Sequence, residues 1–182
     1  MKKIVFIFML SLILVSCGSS QEEEALSNGL VETQKVNFSM MSPENWRELG
    51  ESELSKPRVW SVALALASSS QKENYINNLI VLEVENLLNE SSVWLMENTK
   101  KWLETSLVTF KNLEEKTINF ADNESGTLIS YRGKYSNSTP ELTYLQTARS
   151  CGENAYVLTV SLAEKLESYE RYEYLLSTFK CE

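Results

Sequence analysis

The stretch Thr127-Leu128-Ile129-Ser130-Tyr131-Arg132-Gly133-Lys134-Tyr135-Ser136, with Glu141–Ser150 and Ala155–Leu162 close behind it, decides the fold. Each run is bounded by turn formers: Asp122-Asn123-Glu124-Ser125-Gly126 before the first, Pro140 before the second, Cys151-Gly152-Glu153-Asn154 before the third. Ile129, Tyr131 and Tyr135 share one face of the first run, at the period of two that marks a half-buried strand. With Lys116–Phe120 these make four strand-like runs, and their short spacing predicts an antiparallel meander.

Working outward, the period changes upstream. Ser91 or Ser92 can cap a helix with an inner stripe of Leu95, Trp102, Leu103, Leu107 and Phe110, leaving Glu97, Lys100, Lys101 and Glu104 outside. Three strands precede it. Val36–Met40 alternates apolar and polar residues and ends at Ser42-Pro43-Glu44-Asn45-Trp46, since proline cannot donate to a ladder. Val59–Ala67 puts Trp60, Val62, Leu64 and Leu66 on one side and Ser61, Ala63, Ala65 and Ala67 on the other. Its small face lets another layer approach closely, so both faces are expected to be covered. Asn78–Glu85 sets Ile80, Leu82 and Val84 against Leu79, Val81, Glu83 and Glu85. Downstream, Leu166, Tyr169, Tyr172, Leu176 and Phe179 predict a closing helix over about Glu164–Thr178. Strands in runs, one long helix between them and another at the end, give the α+β class.

In this order of pieces the chain resembles the PsbP-like family, named for the extrinsic subunit of the photosynthetic oxygen-evolving complex. The resemblance covers about Val36–Phe179. It rests on the opening strand followed by Pro43-Glu44-Asn45-Trp46, three strands before the long helix, and Gly126-Thr127-Leu128-Ile129-Ser130-Tyr131. Ala155-Tyr156-Val157-Leu158-Thr159 and Ser177-Thr178-Phe179 complete it. It implies a central antiparallel sheet of about six to seven strands with helices packed on both faces, an α/β/α sandwich. It implies binding and assembly rather than enzyme activity. Metal sites of some relatives use histidine, and this chain has none.

The N-terminus carries an address. Lys2 and Lys3 precede the apolar run Ile4–Val15, broken only by Ser11, which is well short of the ~20 residues a spanning helix needs. This reads as an export signal. Its end, Leu14-Val15-Ser16-Cys17, resembles the bacterial lipobox, which implies removal of residues 1–16 and lipidation of Cys17. Several acyl chains are needed for durable anchoring, each buried methylene contributing about 0.8 kcal/mol. Residues 17–34, with Glu22-Glu23-Glu24, read as a flexible acidic tether, and residues 35–182 as one domain. Gly18 after the cysteine is not the aspartate that resembles an inner-membrane retention signal, so outer-membrane placement stays open.

Composition narrows the chemistry. The 182 residues carry a net charge of −8. Setting aside Lys2 and Lys3 leaves the rest near −10. That balance argues against nucleic acid, whose binding needs Lys and Arg on phosphates. It also argues against adhesion to anionic head groups, so the acyl chains on Cys17 must hold the protein to the membrane. The absence of histidine removes Ser-His-Asp and Cys-His catalysis and histidine metal sites. No cofactor is implied.

Few residues remain as candidates. Cys151 and Cys181 can meet if the closing helix packs back on the last strand, and a disulfide closing this loop would stabilise by about 3–4 kcal/mol. Glu83 and Glu85, about 6–7 Å apart on one strand face, are the carboxylate pair an envelope hydrolase would use. Asp122, Asn123 and Glu124 offer fewer oxygens than a calcium shell needs and read as a hairpin turn. Trp94, on the first turn of its helix, is a candidate partner contact. The leading expectation is a non-enzymatic, lipid-anchored binding or assembly module outside the cytoplasmic membrane with a protein partner in the cell envelope. A carboxylate hydrolase would need a cleft holding both glutamates, and a small apolar ligand carrier an enclosed apolar cavity.

Overall fold

The meander forms as its alternation predicts: β6 (Thr109–Asn119), β7 (Ser125–Lys134), β8 (Leu142–Cys151) and β9 (Asn154–Leu162) pair antiparallel in sequence order. A computed structural model describes residues 24–54, 60–72, 75–163, 166 and 168–182. The other strands are β1 (Leu30–Gln34), β2 (Phe38–Pro43), β3 (Trp46–Glu48), β4 (Ser61–Lys72), β5 (Tyr75–Glu85) and β10 (Lys180–Cys181). The long helix is α1 (Ser92–Ser106) and the late one α2 (Glu170–Ser177).

The expected α/β/α sandwich is not what forms. The molecule is mostly β: a seven-stranded sheet ordered β3-β4-β5-β9-β8-β7-β6 and a separate three-stranded sheet ordered β1-β2-β10. All strand pairs are antiparallel. α1 packs on β7 and β8, over one core that includes Met96, Leu103, Ile129, Tyr131, Tyr144 and Val157. The opposite face of the large sheet meets the small sheet and the eight-residue α2, through Phe38, Met40, Leu64, Leu79, Leu158, Leu175 and Phe179.

Three local differences produce this result. Helical periodicity over Glu164–Thr178 is realised only from Glu170, although Leu166 and Tyr169 still pack against the core from non-helical backbone. Residues 164, 165 and 167 lie outside the described ones. The strand read at Val36–Met40 joins the small sheet rather than the large one. Part of the stretch read as tether is β1, which pairs with β2 from Leu30↔Pro43 to Gln34↔Ser39. The leader and Cys17 lie outside the described residues.

β4 carries a further correction. Val62 pairs with Leu82 and Leu64 with Val81, so Ala63 is an extra residue in the ladder. A bulge of one residue reverses the facing of everything beyond it. Leu64 and Leu66 therefore join the core beneath the small sheet, while the Trp60 ring lies 6.2 Å from Trp102 of α1. The four residues read as one face are split between two. Trp102, placed in the inner stripe of α1, is half exposed, and Met96 and Thr99 take inward positions beside Leu103. Phe110 belongs to β6, where its ring packs 5.2 Å from Tyr131.

Candidate functional site

One end of the large sheet gathers the loop from β5 to α1, the β8–β9 turn, the β6–β7 turn and the residues around β10. Its organiser is the buried Asn86. The side-chain Nδ2 donates to Glu90 O (3.1 Å), Ser150 Oγ (2.9 Å) and Gly152 O (3.3 Å), and Oδ1 accepts from Glu90 N (2.8 Å). Its backbone N–H donates to Glu153 O at 2.7 Å, and its carbonyl accepts from Asn89 N at 2.9 Å. Asn89 sits at φ +53°, a left-handed conformation that asparagine tolerates better than most residues. The loop is thereby closed on itself between Asn86 and Glu90 and tied through Asn86 to the β8–β9 turn.

What the loop holds outward is apolar. Leu87 and Leu88 are each 81% exposed, and Val93 and Trp94 on the first turn of α1 are about half exposed. Trp94 is the candidate contact taken from the sequence, and the structure places it beside this tip. Its backbone N–H donates to the Ser91 Oγ at 3.2 Å, so Ser91 is the cap of α1. Ser92 is buried, and its Oγ accepts from Ser150 N at 3.0 Å, tying the helix start to β8.

Next to the tip is a cleft of about 540 Å³, lined by residues of 89–93, the two turns and the chain segments at Asn37 and Cys181–Glu182. Arg149 is its basic residue and is only 7% exposed. The guanidinium donates to Asp122 Oδ2 at 2.8 Å and to Ser150 O, and stacks 5.6 Å over the Phe120 ring. Asp122 also accepts from the Cys181 backbone N–H at 3.2 Å. Burial alone would raise the Asp122 carboxyl; Arg149 and the amides of Cys181 and Glu124 together hold it below its usual value. The Asp122-Asn123-Glu124 stretch is thus a turn, with Asn123 at φ +64°, whose acid serves an internal ion pair. Among the described residues no three His, Cys, Asp or Glu side chains come together as a metal-binding group.

Cys151 and Cys181 form a disulfide with their Cα atoms 5.7 Å apart. The route differs from the expected one: the chain returns through α2 and β10, whose Cys181 pairs with Phe38 of β2. The bridge therefore ties the small sheet to the large one.

The glutamate pair lies on β5 as predicted, but its members have different surroundings. Glu83 Oε1 accepts from the Tyr156 hydroxyl at 3.0 Å, while Glu85 is exposed at the end of the strand. Burial first, and the Glu83 carboxylate second, push the Tyr156 hydroxyl up to about 12. Neither glutamate lines the cleft at the tip, nor a second of about 410 Å³ between β2, the β6–β7 turn and α2. Sequence reasoning missed Asn86, Leu87, Leu88 and Arg149. Two adjacent leucines between asparagines, a few residues before a serine cap, were the available signal.

No family model matches the chain, and no curated protein is significantly similar to it. Among solved structures, cyanobacterial PsbP (CyanoP) from Synechocystis sp. PCC 6803 aligns with a TM-score of 0.56 and 12% identity, covering 85% of this chain and 93% of that one. A protein of unknown function, PA94 from Pseudomonas aeruginosa, aligns with a TM-score of 0.48 and 10% identity over 73% of this chain and 82% of its own. A structure from Bacteroides thetaiotaomicron aligns at 0.42 and 12% identity, over 80% of this chain and 45% of that one. At such identities likeness speaks for architecture alone, and the alignment with cyanobacterial PsbP gives this chain a PsbP-like fold.

Proposed function

We propose that the protein is a bacterial lipoprotein, held on the outer side of a membrane by acyl chains on Cys17, that works by binding a protein of the cell envelope rather than by catalysis. The observation that carries the binding reading is the Leu87–Leu88 tip. Two leucines held in water by a loop tied down at Asn86, Asn89 and Glu90 give up about 1.5–3 kcal/mol each that burial would return. Apolar surface kept exposed on a rigid support is the mark of a contact site. The anchor reading rests on Leu14-Val15-Ser16-Cys17 alone.

Fatty-acid labelling and fractionation test the anchor. The wild-type chain is expected to take up label, lose Met1–Ser16 and sediment with membranes, whereas Cys17→Ser stays unlabelled and unprocessed. A wild-type chain found unlabelled with its first sixteen residues intact would remove the anchor. Crosslinking in intact cells tests binding, with a defined adduct to another protein expected. Recovery of monomer only, together with turnover of an envelope polymer that Glu83→Gln abolishes, would replace this reading with the hydrolase.

A further inference from the structure

We infer that the Leu87–Leu88 tip inserts into an apolar pocket of a partner protein whose rim is lined with lysine or arginine. This rests on the binding-module reading above and adds the chemistry of the partner and the direction it is met from.

Charge selects the occupant. Glu85 ends β5, Glu90 closes the loop and Glu153 stands in the turn that the loop is bonded to. Glu124 and Glu182 line the adjoining cleft. All five are at least partly exposed; Glu182 is paired with Lys180 at 3.3 Å, and the cleft's basic residue, Arg149, is buried and bound to Asp122. Carboxylates thus adjoin the two leucines from several elements. An anionic bilayer would be repelled by them. A second copy meeting this one through the same patch would set those acids against their own counterparts, as a two-fold contact requires. A pocket with a cationic rim is attracted by the same charges that exclude the others.

Position agrees with charge. The chain enters the small sheet at Leu30, which pairs with Pro43, while Phe38 at the far end of β2 pairs with Cys181 beside the cleft. Asn28 O accepts from Arg171 at the start of α2. The first described residues, leading through Asn28 into Leu30, therefore enter the domain at the end away from the tip. A chain tethered through them presents Leu87 and Leu88 away from its own attachment, toward a partner facing it.

The test uses the full-length protein in its own cells, with a photoreactive residue at position 88 and, separately, at Leu113, which is 41% exposed on β6. A protein adduct is expected from 88 and not from 113. The captured protein is then purified and titrated. Leu87→Ser/Leu88→Ser is expected to lose about thirty-fold in affinity. Glu85→Lys/Glu153→Lys is expected to lose about ten-fold, and to remove much of the salt dependence. Both variants should unfold at the wild-type temperature, because the altered side chains are exposed. Equal affinity of the leucine variant, tighter binding by the charge-reversed one, or crosslinks from 88 only to lipid or to a second copy would overturn the inference. Capture through 113 but not 88 would defeat it while leaving the binding reading intact. Absence of any protein adduct from either position would defeat both.

Discussion

Asn86 uses both polar atoms of its side chain to join a loop to a turn more than sixty residues away. Replacing it with alanine leaves Glu90 N and the carbonyls of Glu90 and Gly152 to find other partners, at about 1–3 kcal/mol for a buried group left unpaired. Asn86→Ala is expected to lower stability by about 2–3 kcal/mol in denaturant unfolding and to speed amide exchange at 89–90 ahead of the strands. A variant with unchanged exchange there would mean the loop is held by something else. Arg149 and Asp122 make the second prediction. The Asp122 carboxyl titrates below its usual value in the fold, so its contribution is complete above the unfolded pKa of about 3.9 and is lost as pH falls through the depressed one. Breaking a buried pair costs about 3–5 kcal/mol; because Asp122 keeps some access to water, Arg149→Met should cost nearer 2–3 kcal/mol. It should also flatten the acid limb of the stability curve below about pH 4. At this scale the sequence disclosed little. An asparagine between a strand and two leucines looks like any loop residue, because its partners at Ser150 and Gly152 are set by tertiary folding. Cys151 and Cys181 were legible because, with Cys17 read as an anchor, only one pair of thiols remained to bridge.

Elements show where period-reading succeeds and where it cannot. β7, β8 and β9 announce themselves because turn formers bound each one and strand-forming residues fill the runs between them. β4 misleads: Trp60, Val62, Leu64 and Leu66 alternate without a flaw in the string, yet the extra Ala63 turns the second pair to the other core. Nothing in composition marks a bulge whose added residue is an alanine. The late helix misleads differently, since Leu166 and Tyr169 are spaced for burial and need no helix to reach the core. The disulfide is a property of elements, as it fixes β10 to the end of β8. Cys151→Ser/Cys181→Ser is expected to lose about 3–4 kcal/mol, and to expose β10 amides to exchange while β6–β9 stay protected. A double variant as stable as the wild type would show that the small sheet does not depend on the bridge.

On the scale of the whole molecule, two cores share one large sheet, and tyrosines sit in both. Burial raises the hydroxyls of Tyr131 and Tyr144 in the α1 core, where their rings stack 4.9 Å apart, well above the usual range, and it is the main cause that brings the Tyr156 hydroxyl in the other core up to about 12. A raised tyrosine stabilises fully below its unfolded pKa of about 10 and ceases to do so as pH climbs through its folded value. The protein is therefore expected to lose stability between about pH 10 and 12, and Tyr156→Phe should reduce that alkaline loss; circular dichroism against pH reads both. A flat profile to pH 12 would mean the rings are better hydrated than their packing implies. The large sheet was legible from local alternation. The small one was not, because it draws on residues 30–34, 38–43 and 180–181, and a two-residue strand has no period to read. That sheet has a kinetic meaning: β2 can acquire its second neighbour, and Cys151 its sulfur partner, only when synthesis has reached Cys181. A growing chain thus holds every strand of its large sheet before the clasp can close, so that latching follows the meander instead of guiding it.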